Sequence, residues 1–389
     1  MPHIRHMPSP PAGVLAAALL MALAGCGEDT ESPTAPDAAP ALATTASALA
    51  LIQVSASSSL STCGVTADNR AYCWGSYAVT PVRVLSGVSV RQVSAGGHHV
   101  CAVTTDNLAY CWGDNSNGQL GDGTTTERPS PVPVAGGLRF RQVSGGDLHT
   151  CGLTTDNRIY CWGLNYYGQL GDGSATNRSV PVPVLGGRTF RQVSAGFIHT
   201  CAVTPAYQAF CWGSNEYGQV GDGTNVRQRP RPVPVAGGHL FSQVSAGFYH
   251  SCAVTTTNRA FCWGNGRSGE IGDGKTYLRF TPRAVAGGLS FERMTAGVFD
   301  TCGETTNNLA YCWGANTYGG LGDGTTTSRL TPVAVAGGLR FSQLSAGGFY
   351  TCGVTPGSVA YCWGYNYYAQ LGDGTTTDRL TPVPVAGPM

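Results

Sequence analysis

The residues able to do chemistry in this 389-residue sequence come in repeated sets, and the cysteines are the clearest of them. Apart from Cys26, they form seven pairs with nine residues between the members of each: Cys63 and Cys73, Cys101 and Cys111, Cys151 and Cys161, Cys201 and Cys211, Cys252 and Cys262, Cys302 and Cys312, Cys352 and Cys362. Zinc ligation favours closer spacing within a pair and supporting histidines. Disulfides fit better. With a three-residue Thr-Asp-Asn turn, positions 101 and 111 fall opposite each other on a hairpin, where facing Cβ atoms lie within disulfide reach. Each bond would close a small loop and stabilise the fold by about 2–3 kcal/mol on the chain-entropy estimate. Bonds between neighbouring repeats are the alternative.

Two other sets recur. His99, His149, His199 and His250 stand two residues before the first cysteine of their pair, where the remaining copies place Ser61, Asp300 and Tyr350. A ring of imidazoles can bind metal, but the non-ligating substitutes favour a hydrogen-bonded structural role. Asp122, Asp172, Asp222, Asp273, Asp323 and Asp373 each sit in a Gly-Asp-Gly triplet. Calcium would suit the oxygen-rich stretch Asp114-Asn-Ser-Asn, yet the matching Leu164-Asn-Tyr-Tyr holds no carboxylate. These aspartates read as turn and cap residues. No phosphate loop, nucleophile elbow or nucleophile–base pair is present in the sequence, so no catalytic residue, metal site or cofactor is expected, and the chain is not expected to be an enzyme.

The elements that position these sets follow from the repeat. All seven tryptophans, Trp74, Trp112, Trp162, Trp212, Trp263, Trp313 and Trp363, fall one per copy. The Val-Ser-Ala-Gly words recur 50 or 51 residues apart, and the first copy is shorter by eleven. Each copy has four strand-like runs (a to d), β-branched or aromatic and bounded by Gly, Asn and Asp. A period of about 50 residues with four strands is a propeller blade. The expected fold is all-β: a seven-bladed β-propeller of four-stranded antiparallel blades.

Only the c-to-d connection exceeds hairpin size, which groups the strands as d-a-b-c and sends the long segment between blades. Pro131 and Pro133, two apart in run d, place it at an edge. On this grouping the C-terminal strand pairs with the N-terminal blade and closes the ring.

Ahead of the repeats, Arg5, the apolar run 12–23 and Leu-Ala-Gly-Cys26 read as a lipoprotein signal peptide over residues 1–25, with Cys26 the lipid attachment point. Residues 26–48 read as the lipidated cysteine and a Pro/Ala/Thr linker, and 49–389 as the propeller. The expected location is the bacterial cell envelope, anchored by lipid at the outer membrane or cell surface. With 12% charged residues and a net charge of +1, the chain lacks the electrostatic footprint of a nucleic-acid binder.

The crossover words Asn117-Gly-Gln-Leu-Gly-Asp-Gly and Tyr167-Gly-Gln-Leu-Gly-Asp-Gly, with His149-Thr-Cys-Gly-Leu-Thr and Tyr160-Cys-Trp-Gly, resemble the repeats of the regulator of chromosome condensation family. The resemblance covers about residues 51–389 and implies a seven-bladed propeller. The family includes a nuclear exchange factor for a small GTPase and secreted propellers that inhibit enzymes by covering them. This sequence departs from the pattern in its paired cysteines and in a first copy without the Gly-Gln-Leu-Gly segment.

Where the copies differ, aromatics collect in two loops. These are Phe197, Phe248, Tyr249, Phe349 and Tyr350 after run a, and Tyr166, Tyr167, Tyr217, Tyr318, Tyr367 and Tyr368 after run c. Aromatics at variable positions on a rigid scaffold suit recognition. The expectation is a monomeric, non-enzymatic scaffold whose loop face binds a protein, as an enzyme inhibitor or adhesion module would. Glycan binding by stacked tyrosines is the alternative. Exchange-factor or hydrolase activity fits the compartment and the residues less well.

Overall fold

The computed structural model describes residues 48–388, apart from 60 and 77. The expected signal peptide, Cys26 and nearly all of the linker lie outside the described residues.

The propeller contains seven four-stranded antiparallel sheets, each made of four consecutive strands. Blade 2 shows the plan: strand a is Val90–Ala95, b is His99–Thr104, c is Ala109–Gly113 and d is Arg128–Pro133. The blades span residues 51–84, 90–133, 140–183, 192–234, 241–284, 291–334 and 343–384. The a strands of neighbouring blades touch all the way round, so they line the axis, and the proline-bearing d strands form the outer edge.

The edge placement of strand d stands, but its grouping is corrected. Strand d pairs with strand c of its own copy, as Tyr110 with Pro133 and Cys111 with Val132. The order is therefore a-b-c-d, and the last strand, Arg379–Pro384, pairs with Ala360–Gly364 rather than with the first blade. Length misled because a short link can also join blades. Gly136 and Gly137 both take positive φ (90° and 62°), a backbone that only glycine adopts freely, and they turn the d-to-a link toward the next blade.

The ring closes instead through contacts between two complete blades. Ala50 bridges Val359, Leu51 N donates to Ser358 O (2.8 Å), and Trp74 Nε1 donates to Gln370 O (2.9 Å).

The long c-to-d segment does visit the neighbouring blade before it returns. Leu120 is buried in a cluster with Cys101 and Cys111 of its own blade and Phe140 and Trp162 of the next. Gln119 O accepts Trp162 Nε1 (2.9 Å) and Thr150 Oγ1 (2.8 Å). A Cβ on Gly121 would meet the Trp162 ring at 2.8 Å, which is why glycine stands there. The cores thus lie between blades, and every tryptophan fills one of them.

The cysteines settle the choice between bonds within and bonds between repeats. Each pair faces across its own b–c hairpin, in register on the antiparallel ladder. Cys63 is bonded to Cys73 in blade 1, Cys101 to Cys111 in blade 2, Cys151 to Cys161 in blade 3 and Cys201 to Cys211 in blade 4. In blades 5, 6 and 7 the bonds join Cys252 to Cys262, Cys302 to Cys312 and Cys352 to Cys362. Cα–Cα distances are 4.0 to 4.1 Å, and all fourteen side chains are buried. The alternative of bonds between neighbouring repeats is overturned, because each cysteine is bonded to its facing partner on the same hairpin.

Two further rings of side-chain bonds join blade to blade. Ser94 Oγ accepts Gly145 N (2.9 Å), and the equivalent Ser or Thr repeats this at every interface around to Ser345 Oγ and Ala56 N. Gln92 clamps Val143 of the next blade, Nε2 donating to O (2.8 Å) and Oε1 accepting from N (2.9 Å). Six interfaces carry this clamp.

Candidate functional site

Strand direction fixes what each face presents. Strand a ends and strand b begins at the same end where strand c gives way to the crossover, so both variable loops lie on one face, here the upper. The b-to-c turns and d-to-a links lie on the lower face.

On the upper face the aromatics join into one belt across blades 4 to 7. Phe197 stacks on Phe248 at 3.7 Å between centroids, and Tyr249 packs against both Phe248 (4.6 Å) and Tyr217 (4.7 Å). Phe248 reaches Phe299 (6.2 Å), which reaches Phe349 (5.9 Å), then Tyr318 (5.3 Å), Tyr365 (4.8 Å) and Tyr368 (6.4 Å). Tyr367 packs on Tyr368 (5.0 Å), and Tyr166 packs edge-on against Tyr167 (5.0 Å) in blade 3. Tyr166 and Tyr367 are the outermost rings, 65% and 66% exposed. Burial among these rings, and then its tyrosine neighbours, raises the Tyr249 hydroxyl above its ordinary pKa; the same causes act on Tyr365.

Tyr350 does not belong to this face. It is fully buried, and its hydroxyl accepts Ser57 N (3.0 Å) and donates to Ser61 O (2.8 Å). Burial raises its pKa to about 12. It opens a b strand and points between blades, where other copies have histidine. Conversely, Phe299, a variable-loop residue, and Tyr365 join the belt although neither is among the binding-face residues expected above. Their alignment columns were the available signal. Phe299 shares its column with Tyr249 and Phe349, and Tyr365 follows the glycine after the tryptophan, where other copies carry Asp114, Leu164 and Ser214.

The disulfides stand apart from this surface. Their cysteines lie midway along strands b and c, inside the inter-blade cores, so they brace the loops and touch no solvent.

Over blades 1 and 2, and at Asp147 of blade 3, the upper face is polar. Ser58 Oγ donates to Asp147 Oδ1 (3.2 Å) near His98 and Asp114, and burial raises the Asp147 pKa against the pull of His98. The first copy's missing crossover leaves a cleft of about 530 Å³ lined by Trp112, His98, Asp114 and Glu127. The surrounding residues differ to match. Val100 replaces the hydroxyl that elsewhere bonds the crossover carbonyl, and Ser61 replaces the histidine that would bond that hydroxyl.

The histidines are structural in geometry. His149 Nε2 lies 2.9 Å from Thr200 Oγ1, whose proton goes to Gln169 O (2.9 Å), so the imidazole donates through Nε2. Its Nδ1 has no partner and lies beside Gly146, where a Cβ would meet the ring at 2.6 Å. Burial lowers His99 to about 4 and His149, His199 and His250 to about 3, holding all four neutral.

The Gly-Asp-Gly aspartates are engaged inside their own loops. Asp122 Oδ1 accepts Asn115 Nδ2 (3.1 Å) and Thr124 N (2.9 Å), while Oδ2 accepts Arg128 Nε (2.9 Å). The pairing with arginine recurs in all six crossovers. Among the described residues no group of three or more His, Cys, Asp or Glu side chains is arranged to hold a metal ion.

The lower face is rich in arginine: Arg70, Arg83, Arg91, Arg139, Arg141, Arg158, Arg188, Arg191, Arg259, Arg293 and Arg340. Its exposed carboxylates are Asp68, Asp106, Asp156 and Glu292. At the lower channel mouth, burial and then Arg141 depress the Arg91 pKa, and burial and then Arg191 depress that of Arg141.

Seven four-stranded blades with a variable loop face over a constant frame define a seven-bladed β-propeller. The sequence profile of the RCC1-like domain matches residues 78–389, and the chain belongs to that family. Comparison with curated protein sequences finds no match. Among solved structures, human WBSCR16 superposes with a TM-score of 0.73 at 21% identity, covering 80% of this chain and 85% of that one. Prp20p from Saccharomyces cerevisiae gives 0.72 at 19% identity, covering 83% and 87%. The ectodomain of the Physcomitrella patens receptor kinase CR4 gives 0.55 at 23% identity, covering 80% and 72%. At these identities the likeness concerns the fold.

Proposed function

We propose that this chain is a non-enzymatic scaffold of the bacterial cell envelope, tethered through Cys26, whose upper face binds a protein partner. The observation that carries this reading is the belt of touching aromatic rings across blades 4 to 7. Such rings supply large contact area at low conformational cost, and a cluster of them beside a polar region resembles the anchor-and-rim anatomy of protein interfaces. The frame beneath is tied by seven disulfides and by side-chain bonds at every blade interface, which lowers the cost of ordering the loops on binding. Prp20p, which shares the fold, has been described for its binding to Gsp1p and histones, which is consistent with a protein-binding use of such a ring.

Crosslinking in the native envelope, read by mass spectrometry, tests the proposal. Crosslinked peptides should map to the loops around residues 197, 248, 318 and 349; crosslinks confined to the lower face or outer edge would sink it. Glycan binding is the second reading, favoured by the outward-facing rings of Tyr166 and Tyr367. A glycan array on which wild type binds and Tyr166→Ala/Tyr367→Ala does not would select it.

A further inference from the structure

The two faces differ in charge in a way the net charge of +1 conceals. On the upper face, six of the eight crossover arginines are each paired with a largely buried aspartate, and the other two, Arg227 and Arg267, share the face with Asp114, Glu127, Glu216 and Asp378. On the lower face, eleven arginines meet four exposed carboxylates, and three of those carboxylates lie beside one arginine each. Arg91 and Arg141 occupy the same position in two successive a strands and Arg191 the matching position just before the third, and burial and then the next arginine along lower the proton affinity of Arg91 and Arg141. The cations are spread over the b-to-c turns, the d-to-a links and the channel rim of six blades, which suits an extended anionic surface better than a single anion. Lys275 is the sole lysine in the sequence, and it is not on this face. Arginine's planar fork binds phosphate oxygens in pairs, where an ammonium acts as a point charge.

The described chain also enters on this face. Leu51 N is bonded to Ser358 O in the lower turn of blade 7, and Cys26 lies 22 residues ahead of Ala48. We propose that the lower face is a membrane-docking surface that lies against the anionic headgroups of a phospholipid leaflet, so that the aromatic upper face points away from the bilayer. This rests on the lipid-anchored envelope reading above. A lipid tether holds the chain near the bilayer without setting its orientation, and a basic surface adds the attraction to anionic headgroups that fixes which face lies against it.

The test is sedimentation of the full chain carrying Cys26→Ser, which removes the acylation site. It is mixed with vesicles of phosphatidylcholine alone or with about 30 mol % phosphatidylglycerol. Because both mixtures contain the same N-terminal segment, its own affinity largely cancels in the ratio. Retention should be about tenfold greater on the anionic vesicles at ~50 mM salt and should vanish by ~500 mM. Arg139→Gln/Arg188→Gln/Arg340→Gln should bring retention down toward the neutral-vesicle level, while the matching triple lysine variant should keep most of it. Equal retention on both vesicle types, or a glutamine variant that binds as well as wild type, would overturn the proposal. So would retention by soluble heparin as strong as that by vesicles, since the face would then bind polyanions generally. Labelling of Cys26 with radioactive fatty acid tests the anchor separately, and the vesicle result stands or falls without it.

Discussion

The carboxylate of Glu304 accepts the backbone N–H of Leu344 in the next blade, a bond that a glutamine makes at the other six interfaces. Arg293 occupies the glutamine position in blade 6, directly across the ladder from Glu304, and its guanidinium donates to Ser342 O (3.1 Å). The pair replaces one side chain with two and leaves a carboxyl buried.

Burial raises Glu304 to about 7 from 4.5. A folded-state pKa above the unfolded one contributes stability that is fully present below about 4.5 and lost as pH rises through about 7. Glu304→Gln should therefore gain about 2 kcal/mol relative to wild type on going from pH 5 to pH 8, measured by denaturant unfolding without reductant. An unchanged difference between the two pH values would show that the carboxyl is ionised in the fold.

The four buried histidines act in the opposite sense. Their folded pKa values are depressed below 6.5, so the unfolded chain takes up protons first and stability falls as pH drops from about 6.5 toward 3. Glu270, also raised to about 7, and Asp300, raised well above its usual range, offset this in wild type between pH 7 and 5. Replacing His149 by Gln should unmask the balance, the variant gaining about 2 kcal/mol relative to wild type on going from pH 7 to pH 5.

Each hairpin disulfide closes a small loop, and Cys101→Ser/Cys111→Ser should lower stability by about 2–3 kcal/mol. Thiol titration of the denatured, unreduced mature protein should detect no free cysteine other than an unmodified Cys26. The double-serine variant should add none, whereas either single variant should add one.

Trp162 and Trp112 separate packing from hydrogen bonding. Both are buried, but Trp162 Nε1 donates to the crossover carbonyl of Gln119, and the first copy has no crossover to offer Trp112 the same bond. Substituting phenylalanine should cost about 1 kcal/mol more at 162 than at 112, the typical net worth of a buried hydrogen bond. Equal losses in thermal unfolding would assign the tryptophans to packing alone.

Phe248→Ala/Tyr318→Ala removes two hubs of the upper belt, and both side chains are only partly covered or exposed. With the protein found by crosslinking, affinity should fall by at least about 2 kcal/mol, measured by calorimetry, with an unchanged melting temperature. Loss of folding rather than of affinity would make the belt part of the frame.

The sequence determined what repeats. Sevenfold copies of one hairpin fixed the blade count, the strands and the outer place of the prolines, and made the facing cysteine the favoured disulfide partner, because period-two patterning and facing positions are local properties of the chain. Which strands share a blade was not local. A five-residue link can close a hairpin or pass to a neighbour, and only packing decides between them; Leu120 buried under Trp162 and paired glycines at positive φ decided it here. The site divides the same way. Variable aromatic columns pointed to the upper loops, but whether a ring faces solvent or the gap between blades depends on the blade beside it. That neighbour buried Tyr350 and drew Phe299 and Tyr365 into the belt. The arginines were plain in the sequence as scattered single letters. Their gathering on one face came from the alternation of upper and lower loops, which exists only once the seven sheets stand around a common axis.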